Sequence, residues 1–205
     1  MGIWLQVETL TASFTVGSAS YANNSPLVLV DTDGHDLKVA KELQGTVNTL
    51  RQQSPAFDSA LHAYEGANSP NLTITFGATP NDPSGVPSIG NTDLPLVASP
   101  AIISDPKTPS DDGTVYSTPK DSTTTITISD SIKGDAKAVS NVTKHEVGHA
   151  VDGRTNTNQY GHDSQKTKET NGKTPHDDRP EEKRANAFKD VVTKEQKQYQ
   201  KDHKQ

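Results

Sequence analysis

KHEVGHAVDGR, residues 144–154, contains two histidines four positions apart, His145 and His149, with Glu146 directly after the first. In an α-helix both imidazoles would leave the same face, one turn apart. Two neutral imidazoles at this spacing can bind one Zn²⁺ ion. Gly148 and Ala150 favour a closely packed helix over a solvated His-Glu-His surface. The pattern therefore predicts a metal-binding helix, with Glu146 as general base for a metal-activated water.

The segments around this helix predict the strands and helices of an α+β fold. Alternating apolar and polar residues in NLTITFG, 71–77, and TTTITISD, 123–130, are typical of strands. Apolar residues at helical spacing predict a backing helix over residues 36–52 and a shorter helix over 56–67. The metal-binding helix itself is expected over residues 134–153.

The other segments set the domain organisation. Residues 1–34 are rich in alternating apolar and β-branched residues, which predicts an N-terminal β segment. Residues 35–205 are expected to form the main domain, and the two parts together are expected to make one globular unit. Within the main domain, residues 78–120 hold most of the prolines and predict a long loop, with a short strand inside 94–103. Residues 154–179 are polar and rich in turn-forming residues, so we expect no helix there.

Composition excludes several classes of protein. The 205 residues carry a net charge of -6, which argues against nucleic acid as a partner. The chain has no cysteine, so a metal site must use His, Asp or Glu. The first residues lack the positive segment of a Sec signal peptide, and nowhere do about 20 apolar residues follow one another as a membrane span requires. The cellular location is left open, and a specialised secretion route or a larger toxin polypeptide would be compatible with it.

A catalytic zinc ion usually takes three protein ligands, so a third side chain is expected. One known pattern places a histidine six residues after His149, but Thr155 stands there. The final helix, predicted from Pro180 to about Gln200, carries Glu182 in its first turn within the pattern E-x-x-A-N-x-F. Three other side chains are alternatives for the third ligand: Glu181, Asp152 and His162. Glu181 points elsewhere on the predicted helix than Glu182, so we expect it to be a solvated carboxylate.

HEVGHAVD, 145–152, followed by EKRANAF, 182–188, resembles the gluzincin zinc metallopeptidases. The resemblance is greatest to the catalytic core of the anthrax lethal factor group and to the small HExxH protease domains of bacterial toxins and effectors. It covers residues 123–192 and implies a zincin-like fold, with a small mixed sheet, an active-site helix, a backing helix and a C-terminal helix. In zincins an extended peptide binds beside the edge strand that precedes the active-site helix, so the resemblance also implies this edge role for TTTITIS, 123–129, with its threonines exposed; an interior strand is the alternative. It also implies the roles of four residues, with Glu146 as the base and three metal ligands: His145, His149 and Glu182.

The sequence departs from that family at two places. Asn186 stands where the family usually has an acidic residue that accepts a hydrogen bond from a ligand histidine; its side-chain oxygen can do the same. The tyrosine that the family places before its third ligand, as an oxyanion donor, is missing from GKTPHDD, 172–178. Three other side chains are alternatives for that donor: His176, His162 and Tyr160. Asp152 is an alternative hydrogen-bond partner for a ligand.

These features lead us to expect a zinc endopeptidase of the toxin or effector type, which acts on a protein or peptide substrate. An immunity protein or a larger delivery polypeptide would then be a further partner. Two other hypotheses remain: a non-catalytic, zinc-stabilised interaction module, and a cytoplasmic regulatory protease that cleaves a repressor. Glu146 favours an enzyme, because a purely structural zinc site needs no base.

Overall fold

Five α-helices and a small mixed sheet give the described part of the chain an α+β fold. The computed structural model describes residues 37–65, 69–100 and 113–203. The strands are β1 Leu37–Val39, β2 Asn71–Gly77, β3 Gly90–Asp93, β4 Val97–Pro100, β5 Thr114–Ser117 and β6 Thr123–Ser129. The α-helices are α1 Lys41–Gln53, α2 Pro55–His62, α3 Ala136–Thr155, α4 Thr157–Glu169 and α5 Pro180–Asp202.

The main sheet has the strand order β1-β2-β6-β3. The first three of these strands are parallel, and β3 pairs with β6 in the antiparallel direction. Because β2 and β6 alternate apolar and polar residues, each buries one row of side chains and leaves the other partly exposed. The buried row is Leu72, Ile74, Ile126 and Ile128. The strands β4 and β5 form a separate antiparallel pair.

Local signals in the sequence set where the helices begin. The Asp135 carboxylate accepts hydrogen bonds from the backbone N–H groups of Lys137 and Ala138, so it caps the N-terminus of α3. Pro180 occupies the first turn of α5, as predicted, since a first-turn residue needs no backbone donor. The helix α1 buries an apolar stripe at helical spacing: Leu43, Val47 and Leu50.

Three predicted segments differ from the structure. The backing helix begins at Lys41 and not at residue 36, because Leu37–Val39 pairs with β2 as a parallel strand. Residues 78–120, predicted as a loop with one short strand inside 94–103, contain that strand as β4, but they also contain β3 and β5. Residues 154–179 contain the helix α4. All these elements are short or polar, so tertiary contacts and not hydrophobic periodicity determine them.

The predicted edge position of Thr123–Ser129 is wrong. This strand lies inside the sheet, between β2 and β3, and pairs with both over several residues. Among the described strands, β3 is the one that ends the sheet on this side. Thr123, Thr125 and Thr127 alternate with the buried isoleucines and occupy the other face of this interior strand, whereas Thr124 is buried on the isoleucine face.

Two further expectations concern the rest of the chain. The N-terminal β segment, residues 1–34, lies outside the described residues, so it stays a prediction. In the described part of the chain, no helix is both long enough and apolar enough to cross a membrane.

Candidate metal centre

The helix α3 places His145 and His149 side by side, as their spacing predicted. Their Nε2 atoms lie 3.1 Å apart, and the two rings meet edge to face with centroids 4.7 Å apart. Both nitrogens therefore point toward one position in space. His149 is 6% exposed, so this position is largely shielded from bulk water.

The helix α5 brings Glu182 to the same position. Its Oε2 atom lies 3.0 Å from the Nε2 atom of His145 and 3.4 Å from that of His149. Ligand atoms of these three residues all lie within 4.8 Å of one another. Two imidazoles and a carboxylate converge here, so the His145–His149–Glu182 group could hold a metal ion.

A close crossing of α3 and α5 makes this convergence geometrically feasible. A Cβ atom added to Gly148 would lie 2.9 Å from both the Cα and the carbonyl oxygen of Ala185. Only a glycine lets the two backbones approach so closely. Ala185 follows Glu182 by three residues, so the crossing point lies about one turn from the carboxylate.

The electrostatics of the cluster favour a cation. Burial would lower the pKa of His149, but the hydrogen bond that it donates to Glu182 and the charges of Glu146, Glu182 and Glu181 raise it. Burial would raise the pKa of Glu182, but its contacts with His145 and His149 hold it well below the usual range. Several carboxylates thus produce a negative potential in a shielded position, which is what a divalent ion requires.

The contacts outside the cluster also suit a metal. Asn186 Oδ1 lies 3.2 Å from His145 Nδ1, as the sequence predicted for this side chain. Lys189 Nζ donates a second hydrogen bond to the same oxygen, at 2.6 Å. This arrangement leaves His145 Nε2 free to ligate. The Nε2 atom of His149 is the ring nitrogen that faces the cluster, and its Nδ1 atom is buried without a hydrogen-bond partner among the described residues.

Glu146 lies between the two histidines and contacts the strand β3. The Thr92 hydroxyl is 2.7 Å from Glu146 Oε2 and 3.0 Å from the Glu146 carbonyl oxygen. A side chain at Gly90 would overlap Glu146 Oε1 and the Val142 side chain. Sequence analysis missed both Thr92 and Gly90, since they lie in the region predicted as a loop and no motif marks them.

A cavity of about 360 Å³ opens onto the cluster and is lined by His145, Glu146, His149 and Glu182. Two of the three predicted oxyanion donors, His176 and Tyr160, also line it. His176 Nε2 lies 3.3 Å from Glu182 Oε1 and its side chain is about half exposed. The Tyr160 ring packs edge to face against His149 at 6.1 Å. Burial, with the nearby carboxylates, raises the pKa of Tyr160 well above its usual range, so its hydroxyl keeps its proton.

The other predicted candidates do not join the cluster. His162 Nε2 lies 3.0 Å from the Thr114 carbonyl oxygen, and its ring packs against Tyr116. Asp152 pairs with Arg184, whose Nε donates to Asp152 Oδ2 at 2.7 Å.

Glu181 was expected to be solvated, and that expectation is wrong. It is 6% exposed, and its Oε1 atom accepts a hydrogen bond from Thr167 Oγ1 at 2.7 Å. It lines the cavity but is not part of the three-residue group.

An ion pair between Arg179 and Asp82 lies in one wall of the cavity. Arg179, which is 3% exposed, donates from Nη2 to Asp82 Oδ2 at 3.1 Å. The Ser84 side chain lowers the pKa of Asp82 most; with further hydrogen bonds from Val86 and Arg179 it brings that pKa to about 2. The pair links the turn after β2 to the segment that precedes α5.

No protein-family model, curated protein sequence or solved structure matches the chain. The resemblance to the gluzincins therefore depends on the residues of α3 and α5 themselves.

Proposed function

We propose that the chain is a zinc-dependent endopeptidase with a zincin-like fold. The observation that supports this most is the convergence of His145 Nε2, His149 Nε2 and Glu182 Oε2, with the Glu146 carboxylate beside them. Two histidines and one glutamate form a ligand set that suits catalytic zinc and leaves one coordination position open. When bound, a zinc ion supplies a Lewis acid that polarises a carbonyl oxygen and lowers the pKa of water.

In this proposal Glu146 is the general base. It accepts the proton that water loses in the hydrolysis and passes it to the departing amine. Glu146 is 5% exposed, so little bulk water competes for that proton. A site that only stabilised the fold would have no need of a second carboxylate beside the ligand residues.

His176 and Tyr160 are the proposed donors to the oxyanion. Both line the cavity together with the ligand side chains, whereas His162 lies against Tyr116. A donor aimed at the developing negative charge is worth about 100-fold or more in rate. The half-exposed His176 can reorient toward a substrate, while Tyr160 is buried.

The strand β3 is the proposed docking edge for an extended peptide. It ends the described sheet beside Glu146, and an added strand would gain main-chain hydrogen bonds there. This role was expected for Thr123–Ser129, but that strand has neighbours on both sides. A protein or peptide substrate fits such an edge; a toxin or effector role, with an immunity protein or delivery polypeptide as partner, extends the same proposal.

Metal analysis together with a peptide-library digest tests this function. The purified protein should retain about one zinc ion per chain and cleave peptides. Glu146→Gln should keep the zinc and lose cleavage, because the amide cannot accept the proton. Bound zinc without cleavage in the native chain would support the interaction module instead. Full activity of Glu146→Gln would remove the assigned base.

A further inference from the structure

The strand β3 contacts the Glu146 carboxylate through two alternate residues. Gly90 and Thr92 pair with Ile128 and Ile126 of β6, whose side chains are buried. Directly paired residues point to the same face of a sheet, so Gly90 and Thr92 both face α3. Glu146 of α3 contacts this face of the sheet.

The two residues act on different oxygens of the carboxylate. At Gly90 the absence of a side chain leaves room for Oε1, because any Cβ atom there would overlap it. The Thr92 hydroxyl contacts Oε2 at 2.7 Å. A hydroxyl donates one proton, and a carboxylate is the stronger of its two acceptors here, so the hydrogen bond to Oε2 is the one that orients the group.

We propose that Thr92 is a positioning residue that fixes the orientation of the Glu146 carboxylate, with Gly90 providing the space for it. The inference rests on the proposed peptidase function, because the orientation of the Glu146 carboxylate affects the reaction rate when this group accepts a proton during hydrolysis. A base displaced by about 1 Å can lose about 100-fold in rate, even when substrate binding is unchanged.

The position of Thr92 also couples the base to the docking edge. The same strand that would receive an extended peptide holds the carboxylate, so both share one rigid element. The Thr92 hydroxyl also lies 3.0 Å from the Glu146 carbonyl oxygen, so β3 contacts the backbone of α3 at the same residue. A shift of β3 would therefore move the base and the substrate together.

Variants at Thr92 test the proposal. Thr92→Val keeps the shape of the side chain but removes the hydroxyl, and should lower kcat by about 10-fold or more with little change in KM or zinc content. Thr92→Ser should restore kcat to within about threefold of the native value, since it restores the donor. Thr127→Val is the matched control; this residue lies on the neighbouring strand β6, and we expect native kcat and KM.

A second measurement does not depend on turnover. Crystal structures of the zinc-loaded native protein and of Thr92→Val should differ in the orientation of the Glu146 carboxylate. An unchanged carboxylate together with an unchanged kcat would overturn the role of Thr92 and leave the peptidase proposal intact. If the native protein cleaves no peptide, the proposed function fails, and the two carboxylate orientations still decide whether Thr92 positions Glu146.

Discussion

Gly148 is the point at which α3 and α5 touch, and it offers a direct test of how the ligands are assembled. A Cβ atom at this position would approach the Cα and carbonyl oxygen of Ala185 to 2.9 Å, whereas ordinary contacts begin at about 3.4 Å. The neighbour is backbone and cannot rotate away. Gly148→Ala must therefore separate the two helices by about 0.5 Å.

Two opposing effects determine the size of the change. Alanine is a better helix former than glycine by about 1 kcal/mol, which favours the variant. Overpacking in a closely packed interior typically costs about 1–3 kcal/mol. We expect the second effect to dominate, so that Gly148→Ala lowers the free energy of unfolding by up to about 2 kcal/mol. The separation also displaces Glu182, which precedes Ala185 by one turn, and should weaken zinc binding.

Gly45→Ala is the matched control for the helix propensity. Gly45 lies in the interior of α1, is exposed, and has no atom within 4 Å of an added Cβ. The same substitution there should raise the free energy of unfolding by about 0.5–1 kcal/mol.

Urea denaturation in the presence of a chelator measures the two stabilities, and a competition titration with a chromophoric chelator measures zinc affinity. The reasoning would be refuted if both variants gained similar stability and Gly148→Ala bound zinc as tightly as the native chain. In that case the two helices would be able to separate without cost, and their close crossing would not set the position of the third ligand.

Two further predictions concern charged side chains. Glu182→Ala should markedly lower zinc affinity. Asp152→Asn should leave zinc affinity unchanged and lower stability by about 1–3 kcal/mol, because Arg184 then keeps only Asp163 of its two carboxylate partners. Chelator competition and urea denaturation separate the two effects, and the opposite pattern would make Asp152 the ligand. The pKa of Asp82 is about 2 when folded and about 4 when unfolded, so its contribution to stability is present above about pH 4 and is lost as the pH falls toward 2. Asp82→Asn should therefore lose less stability than the native chain between pH 4 and pH 2, and parallel losses in urea titrations across this range would contradict the assigned hydrogen bonds.

Local patterns were sufficient to predict the helical part of the candidate site. The four-residue spacing of His145 and His149 fixes their shared face on any α-helix, whatever surrounds it. The regular alternation in Asn71–Gly77 and Thr123–Ser129 likewise predicted both long strands. The contact of Asn186 with His145, by contrast, was predicted from the resemblance to the gluzincins and not from a local pattern.

Other features depended on contacts between segments that are distant in the chain. Thr92 meets Glu146 across 54 residues, through a four-residue strand that has no apolar pattern of its own and forms only by pairing with β6. Because β3 pairs with β6, Thr123–Ser129 lies in the interior of the sheet and not at the expected edge. Glu181 and Glu182 are neighbours with the same side chain, and both are buried; they differ in what α4 and α3 present to them, a threonine hydroxyl in one case and two imidazoles in the other. Periodicity specifies which face of an element a residue occupies, but the packing of the elements decides what that face meets.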